Sequence, residues 1–299
     1  MKTSKIISAL SLLLVVSFSA LYFSCSKERI EQKKAYSPVN SYLDTKKQQE
    51  QTFTIDSSGS GPITGNQGTK LYGPGKQCLM FPNGDSVTWP FEIRLVELYK
   101  PKDMIYYQMP TVASGTILKT DGEIRLRAFK NNTELVLKPN PCMAAIEMPC
   151  AAPQAGMHVM NGTTTAGNPD WVENSPINLF ATTANSYTAA ITKLGWINCG
   201  QMAGSGSNST LTFTSSTDDL TNVGIFIYFP STHTVMQAYN STTTAIPNGS
   251  SVKIVAIGID SGGNLFSFTQ SPTVTSSTSI DITMSATTDA ALTAVLDAL

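Results

Sequence analysis

The side chains able to do acid–base or nucleophilic chemistry are few and poorly placed for it. The only histidines are His158 and His233, and both sit in β-type sequence with no nucleophile motif beside them. His233 lies in Ser231-Thr-His-Thr234, a hairpin context where a solvated histidine is expected. Ser205 stands between two glycines, but a nucleophile elbow needs a strand running into a helix, and the Gly/Ser-rich stretch 203–209 supplies neither. Carboxylate pairs for glycoside chemistry reduce to Asp218-Asp219 and to Glu92 with Glu97. Adjacent residues on a strand point to opposite faces, so Asp218 and Asp219 share a site only in a loop. There, with Asn222 and backbone carbonyls, they could ligate calcium; an exposed acidic turn is the simpler expectation. These residues predict no catalytic set, no metal centre and no cofactor.

Cysteines and aromatics are the remaining candidates. The chain has five cysteines, and with Cys25 set aside, Cys78, Cys142, Cys150 and Cys199 allow three pairings. A Cys142–Cys150 bridge closing a short loop is the easiest to form, although it gains the least entropically. Zinc is not expected, because there is no Cys-x-x-Cys pair and only two histidines. Tyr106-Tyr107, Trp89 and Trp171 could stack on sugar rings, and Tyr107 and Trp171 are the candidate ligand platform; core packing is the competing use of such residues. Asp85-Ser86-Val87 resembles the short acceptor sequence for O-glycosylation in Bacteroidota.

The first twenty-five residues bear on where such residues would work. Lys2 and Lys5 precede an uncharged apolar run from Ile6 to Phe23 that ends at Ser24-Cys25, the pattern of an export signal. With the cysteine directly after a small residue, the stretch resembles a bacterial lipoprotein signal peptide. That implies cleavage before Cys25, a diacylglycerol on its sulfur, and a protein held on the membrane in the cell envelope, at the outer membrane, facing the periplasm or the surface. Tyr22 and Phe23 depart from the usual Leu-then-small pair. The alternatives are an ordinary cleaved signal and an uncleaved helix, whose Lys27, Arg29, Lys33 and Lys34 would favour a cytoplasmic body.

Charge divides the remainder. Residues 1–138 carry 18 Lys+Arg against 12 Asp+Glu, a balance of +6, whereas 139–299 carry 2 against 9, a balance of −7. Neither part shows an Arg/Lys stripe with interleaved aromatics, so nucleic acid is not an expected partner. The organisation read from this is a signal peptide at 1–24, a polar tether at 25–51 too poor in apolar residues to order itself, and two domains at 52–150 and 151–299.

Short strands bounded by turn residues fill both domains, an all-β pattern of two tandem sandwiches. In the first, Asn83-Gly84 predicts a hairpin leading into a strand over Ser86–Tyr99, and further strands are expected at 104–109, 115–119, 123–129, 134–138 and 144–148. In the second, the nearly continuous apolar run Val223–Phe229 should be central. Asn248-Gly249 and Ser261-Gly-Gly-Asn264 should be hairpin turns. Leu292, Val295 and Leu299 at helical spacing after Asp289 predict a short C-terminal helix.

The succession Gly68-Thr-Lys-Leu71, Phe81-Pro-Asn-Gly84, Ser86–Tyr99, Gly122–Phe129, Leu135–Pro139 and Ile146–Pro149 resembles the β-sandwich domain of ankyrins, netrin receptors and tight-junction scaffolds, also found in bacterial surface proteins. The resemblance implies binding rather than catalysis. Leu194-Gly-Trp-Ile-Asn-Cys199 resembles a segment of Bacteroidota surface lipoproteins that continues there as Asp-Arg-Phe; here Gly200-Gln201-Met202 follows. Trp196 within it reads as a core anchor beside a strand. Together these features lead to the expectation of a non-enzymatic envelope lipoprotein with a structural, adhesive or ligand-binding role, its partner an envelope protein or a glycan. A carbohydrate-binding component of a glycan uptake system is the alternative.

Overall fold

Alternating β-branched and aromatic residues give most segments of this chain one apolar face, and each such face has to be covered. The computed structural model describes residues 32–57, 61–139, 142–173, 178–204 and 206–299. The lipidation candidate Cys25, the leader and Ser205 lie outside the described residues. The chain is all-β, with three short helices among the described residues: α1 (Asn40–Lys46), α2 (Pro101–Tyr107) and α3 (Asp289–Asp297). None of these helices is long and apolar enough to cross a membrane.

The first sandwich has a large sheet ordered Gln51–Ile55, Phe91–Leu98, Thr116–Lys130, Gly195–Met202, His158–Thr165, Asn168–Glu173. It faces a smaller sheet ordered Ala181–Thr182, Ser186–Ile191, Ala144–Pro149, Lys70–Tyr72, Ile63–Thr64. Ile93, Leu95, Ile124, Leu126 and Ile197 from one sheet meet Ile146, Met148, Tyr187 and Ile191 from the other in a single core. In the second sandwich, Gly224–Phe229 lies between Thr234–Ala238 and Lys253–Ile259, with Leu265–Gln270 and Ser285–Thr287 completing the sheet. Three two-stranded pairs cover its other face, including the parallel pair Leu211–Thr214 with Thr278–Asp281.

A third layer joins the two. Leu43 of α1, Ile105 of α2 and Leu292 and Leu296 of α3 pack with Val96 and Leu98 of the first large sheet and with Phe226, Tyr228, Val255 and Ile257 of the second. This explains the burial of Phe91–Leu98, where only alternate side chains are buried at first and both faces are buried from Leu95 onward.

The tandem arrangement is as expected, but its boundary is not at 150/151. Ser186–Ile191 pairs with Ala144–Pro149, and Gly195–Met202 pairs with Thr116–Lys130, so chain through Met202 belongs to the first sandwich. The Gly/Thr-rich stretch after Met160 is a hairpin in that sheet, turned by Ala166 and Gly167 at positive φ. Strand pairing partners are non-local, and a composition shift at Cys150 carries no information about them.

The tether at 25–51 is also corrected for its described part. Tyr36, Val39, Tyr42 and Leu43 are buried. Ser37 N–H donates to Ile259 O at 2.8 Å, and the Tyr36 hydroxyl donates to Asp218 at 2.6 Å. Residues 35–299 therefore form one compact unit. Four well-spaced apolar side chains suffice because Gly224 and Gly258 leave room for them: a Cβ on Gly258 would lie 2.8 Å from the Tyr36 ring.

The expected strand at 104–109 is helix α2. Pro101 sits at its start, Asp103 in its first turn, and Gln108 in the left-handed conformation ends it, its N–H returning to Met104 and Ile105 carbonyls. Those are ordinary helix signals, hidden by an apolar run that also suits a strand. The C-terminal helix forms as expected, with the Thr288 hydroxyl accepting from Ala291 N–H at 3.2 Å.

Candidate functional site

The residues with chemical potential mostly serve structure. Asp218, 4 % exposed, accepts from the Tyr36 hydroxyl, the Thr217 hydroxyl at 2.7 Å and Met284 N–H at 3.1 Å. Its oxygens tie the N-terminal segment to the second sandwich, whereas Asp219 accepts from Thr221 N–H at 3.1 Å and its hydroxyl at 2.6 Å. The two aspartates thus bond apart and form no calcium cradle. Glu97 is fully buried and accepts Gln67 N–H at 2.9 Å, Thr69 N–H at 2.9 Å and Gln51 Nε2 at 2.8 Å. It braces a loop, and Glu92, five residues away on the same strand, lies on the opposite face paired to Arg94 at 3.0 Å. Ser86 is exposed on its hairpin, beside buried Val87.

The cysteine expectation is corrected. Cys142 bonds Cys78, across 64 residues of chain, and not Cys150. Strand Leu79–Met80 pairs with Thr133–Leu137, which carries the segment following Leu137 back beside Cys78; Lys138 N–H donates to Cys78 O at 2.9 Å. Cys150 and Cys199 are free. Cys150 borders a recess of about 500 Å³ with Asp121, Gln154 and His233. Burial pushes its thiol upward, away from the thiolate that a nucleophile needs. Tyr187 donates to Asp121 and accepts from Gln154 N–H at 2.6 Å, locking the rim of that recess.

Of the expected aromatic platform, Trp171 drops out. It is 1 % exposed and its Nε1–H donates to Pro110 O at 2.8 Å, so both its ring and its polar edge are spent inside the protein. The layer of helices and second sandwich covers the sheet face on which it lies, a cover that no local pattern around Trp171 signals.

Tyr107 keeps its place, with a different partner. It ends α2, is half-buried, and meets Trp196 edge-to-face with centroids 5.8 Å apart and planes at 78°. Its hydroxyl donates to Gln48 O at 2.6 Å, and burial, only partly offset by Arg125, raises its pKa and keeps the phenol neutral. Trp196 and Arg125 are directly opposed on neighbouring strands, and the Arg125 guanidinium carbon lies 5.2 Å from the Trp196 ring centroid. Lys47, Gln48, Gln49, Glu50 and Met109 complete a recess of about 470 Å³. Arg125 donates to Glu50 at 2.9 Å, and Arg127 approaches the same oxygen at 3.5 Å. Lys47 sits 5.5 Å over the Tyr107 ring and pairs with Asp44 at 2.6 Å.

These residues come from the N-terminal segment, the helix end and two central strands. Aromatic walls set for ring stacking, with amide, carboxylate and guanidinium groups at the rim, make a site for a polar ligand with a flat apolar face. Sequence reading treated Trp196 as core and missed Arg125 and Glu50. The available signal was the alternation of Arg125 and Arg127 with the core residues Ile124, Leu126 and Ala128. No protein-family model matches the chain, and no curated protein or solved structure matches it either.

Proposed function

We propose that the protein is a non-enzymatic, lipid-anchored envelope protein that binds a glycan in the Tyr107–Trp196 recess. The observation that carries this reading is the pairing of two partly exposed aromatic rings with Arg125, Glu50 and two glutamines around a volume of about 470 Å³, which falls in the range of small-molecule sites. The leader ending at Ser24-Cys25 supports the anchor, and the resemblance of the first sandwich to binding domains of surface proteins agrees with the role.

Glycan-array binding by the wild type and by Trp196→Ala tests the site. The expected result is binding to at least one glycan class that falls tenfold or more in the variant, about 1.4 kcal/mol. Equal binding by the two proteins would remove the recess from the function. Intact-mass measurement of the mature N-terminus tests the anchor, which requires an acylated Cys25 as the first residue.

A further inference from the structure

We infer that the recess recognises an acidic saccharide, whose carboxylate competes with Glu50 for its position on Arg125 and Arg127. This inference rests on the glycan reading above and narrows it.

The outward face of the first large sheet gathers three guanidinium groups. Arg94 and Arg127 are directly opposed across neighbouring strands, and Arg125 is opposed to Val96 two pairs further along, on the same face. Like charges placed this way destabilise a sheet, so the arrangement calls for carboxylates between them. Glu134 meets Arg127 with two bonds, Nε at 2.9 Å and Nη2 at 2.7 Å. Glu92 meets Arg94, and Glu50 bridges Arg125 and Arg127.

Aromatic rings orient these groups. The guanidinium carbons of Arg94 and Arg127 lie 4.0 Å and 4.5 Å from the Phe129 centroid, and that of Arg125 lies over Trp196. A stacked guanidinium presents its donor edge in a fixed plane, the geometry that selects planar carboxylates. Arg125 is the one of the three that lines the recess, and among the described residues its Nε, like that of Arg94, meets no acceptor. Glu50 comes from segment 47–50, which has no helix or strand pairing and forms one wall of the recess. A ligand carboxylate arriving along the Trp196 ring would reach the same donors while its ring stacks.

Each arginine already faces an acid, so this surface offers no broad positive field of the kind that binds a phosphate polymer. Exchange of one carboxylate for another leaves the local charge unchanged, and specificity then comes from the fork and the stacking ring.

The test is calorimetric titration of the purified protein with oligogalacturonate, with a neutral galactan oligosaccharide of equal length and with single-stranded polynucleotide. Far-UV circular dichroism checks the fold of each variant. The expected result is at least tenfold preference for oligogalacturonate over the neutral sugar. Glu50→Gln, which removes the internal competitor and spares the stack, should bind the acidic probe several-fold tighter. Arg125→Lys, which keeps the charge and removes the fork, should lose tenfold or more. Equal binding of acidic and neutral sugars with no effect of Glu50→Gln would overturn the acidic specificity and leave the glycan reading standing. Binding of neither sugar to any of these proteins would overturn both. Polynucleotide binding as tight as that of oligogalacturonate would also overturn the inference.

Discussion

Glu123→Gln is a sharp test of how the covered outer face of the first large sheet handles a carboxyl group. Glu123 is 0 % exposed, and it lies on the face of Thr116–Lys130 turned away from the first core. Its Oε1 accepts from Asn198 Nδ2 at 3.1 Å, Asn198 Oδ1 accepts from the Thr120 hydroxyl at 3.1 Å, and among the described residues Oε2 meets no donor. Burial pushes its carboxyl well above the usual 4.5, and the Asn198 bond offsets this only in part. The folded protein therefore holds a proton that the unfolded chain releases above pH 4.5. Stability from this group is fully present below that pH and falls as pH rises, by about 1.4 kcal/mol per pH unit, until the folded pKa is passed. Glutamine has nearly the same shape and no proton to lose. The stability of Glu123→Gln minus that of the wild type should thus grow as pH rises from 5 toward the folded pKa, by at most about 1.4 kcal/mol per unit, and level off beyond it. Urea unfolding at pH 5, 6, 7 and 8 measures the difference, in which titrations common to both proteins cancel. Parallel stability curves across that range would refute a neutral buried Glu123.

Three further outcomes follow from the packing. Trp171→Ala should cost about 3–5 kcal/mol in denaturant unfolding and leave glycan affinity within twofold, the reverse of Trp196→Ala. Replacing Cys78 and Cys142 by Ser opens a loop of 64 residues and should cost about 4 kcal/mol in the chain-entropy account; non-reducing peptide mapping of the wild type should yield a Cys78–Cys142 peptide and no Cys142–Cys150 peptide. Gly258→Ala, whose new Cβ would press on Tyr36, should cost about 1–3 kcal/mol. Adding Tyr36→Ala should recover part of that loss in a double-mutant cycle, because the two residues touch.

Local pattern was enough for much of the fold. The turn at Asn83-Gly84, the central Val223–Phe229 strand and the C-terminal helix were legible because each depends on turn chemistry, apolar continuity or helical spacing within a few residues, whereas the strand expected from Ser86 begins only at Phe91 and Leu79–Met80 pairs with Thr133–Leu137 instead. The strand expected at 104–109 failed because its apolar run fits two periods, and Pro101 with Asp103 settled it as a helix. The first domain boundary failed because membership in a sheet is decided by partners far away: Gly195–Met202 finds its neighbour at Thr116–Lys130.

The candidate site divides in the same way. Tyr107 was legible as an aromatic with a possible exposed face, but which ring would stand beside it was not. By itself the sequence determined that this is an all-β chain of short strands ending in a short helix, since composition and short-range periodicity suffice for those conclusions. Only the tertiary structure decided that Trp171 is sealed between layers while Trp196 borders a recess, that Cys142 reaches Cys78, and that Arg94, Arg125 and Arg127 share one face. Burial and side-chain proximity arise from contacts between segments tens to hundreds of residues apart, and no local pattern encodes them.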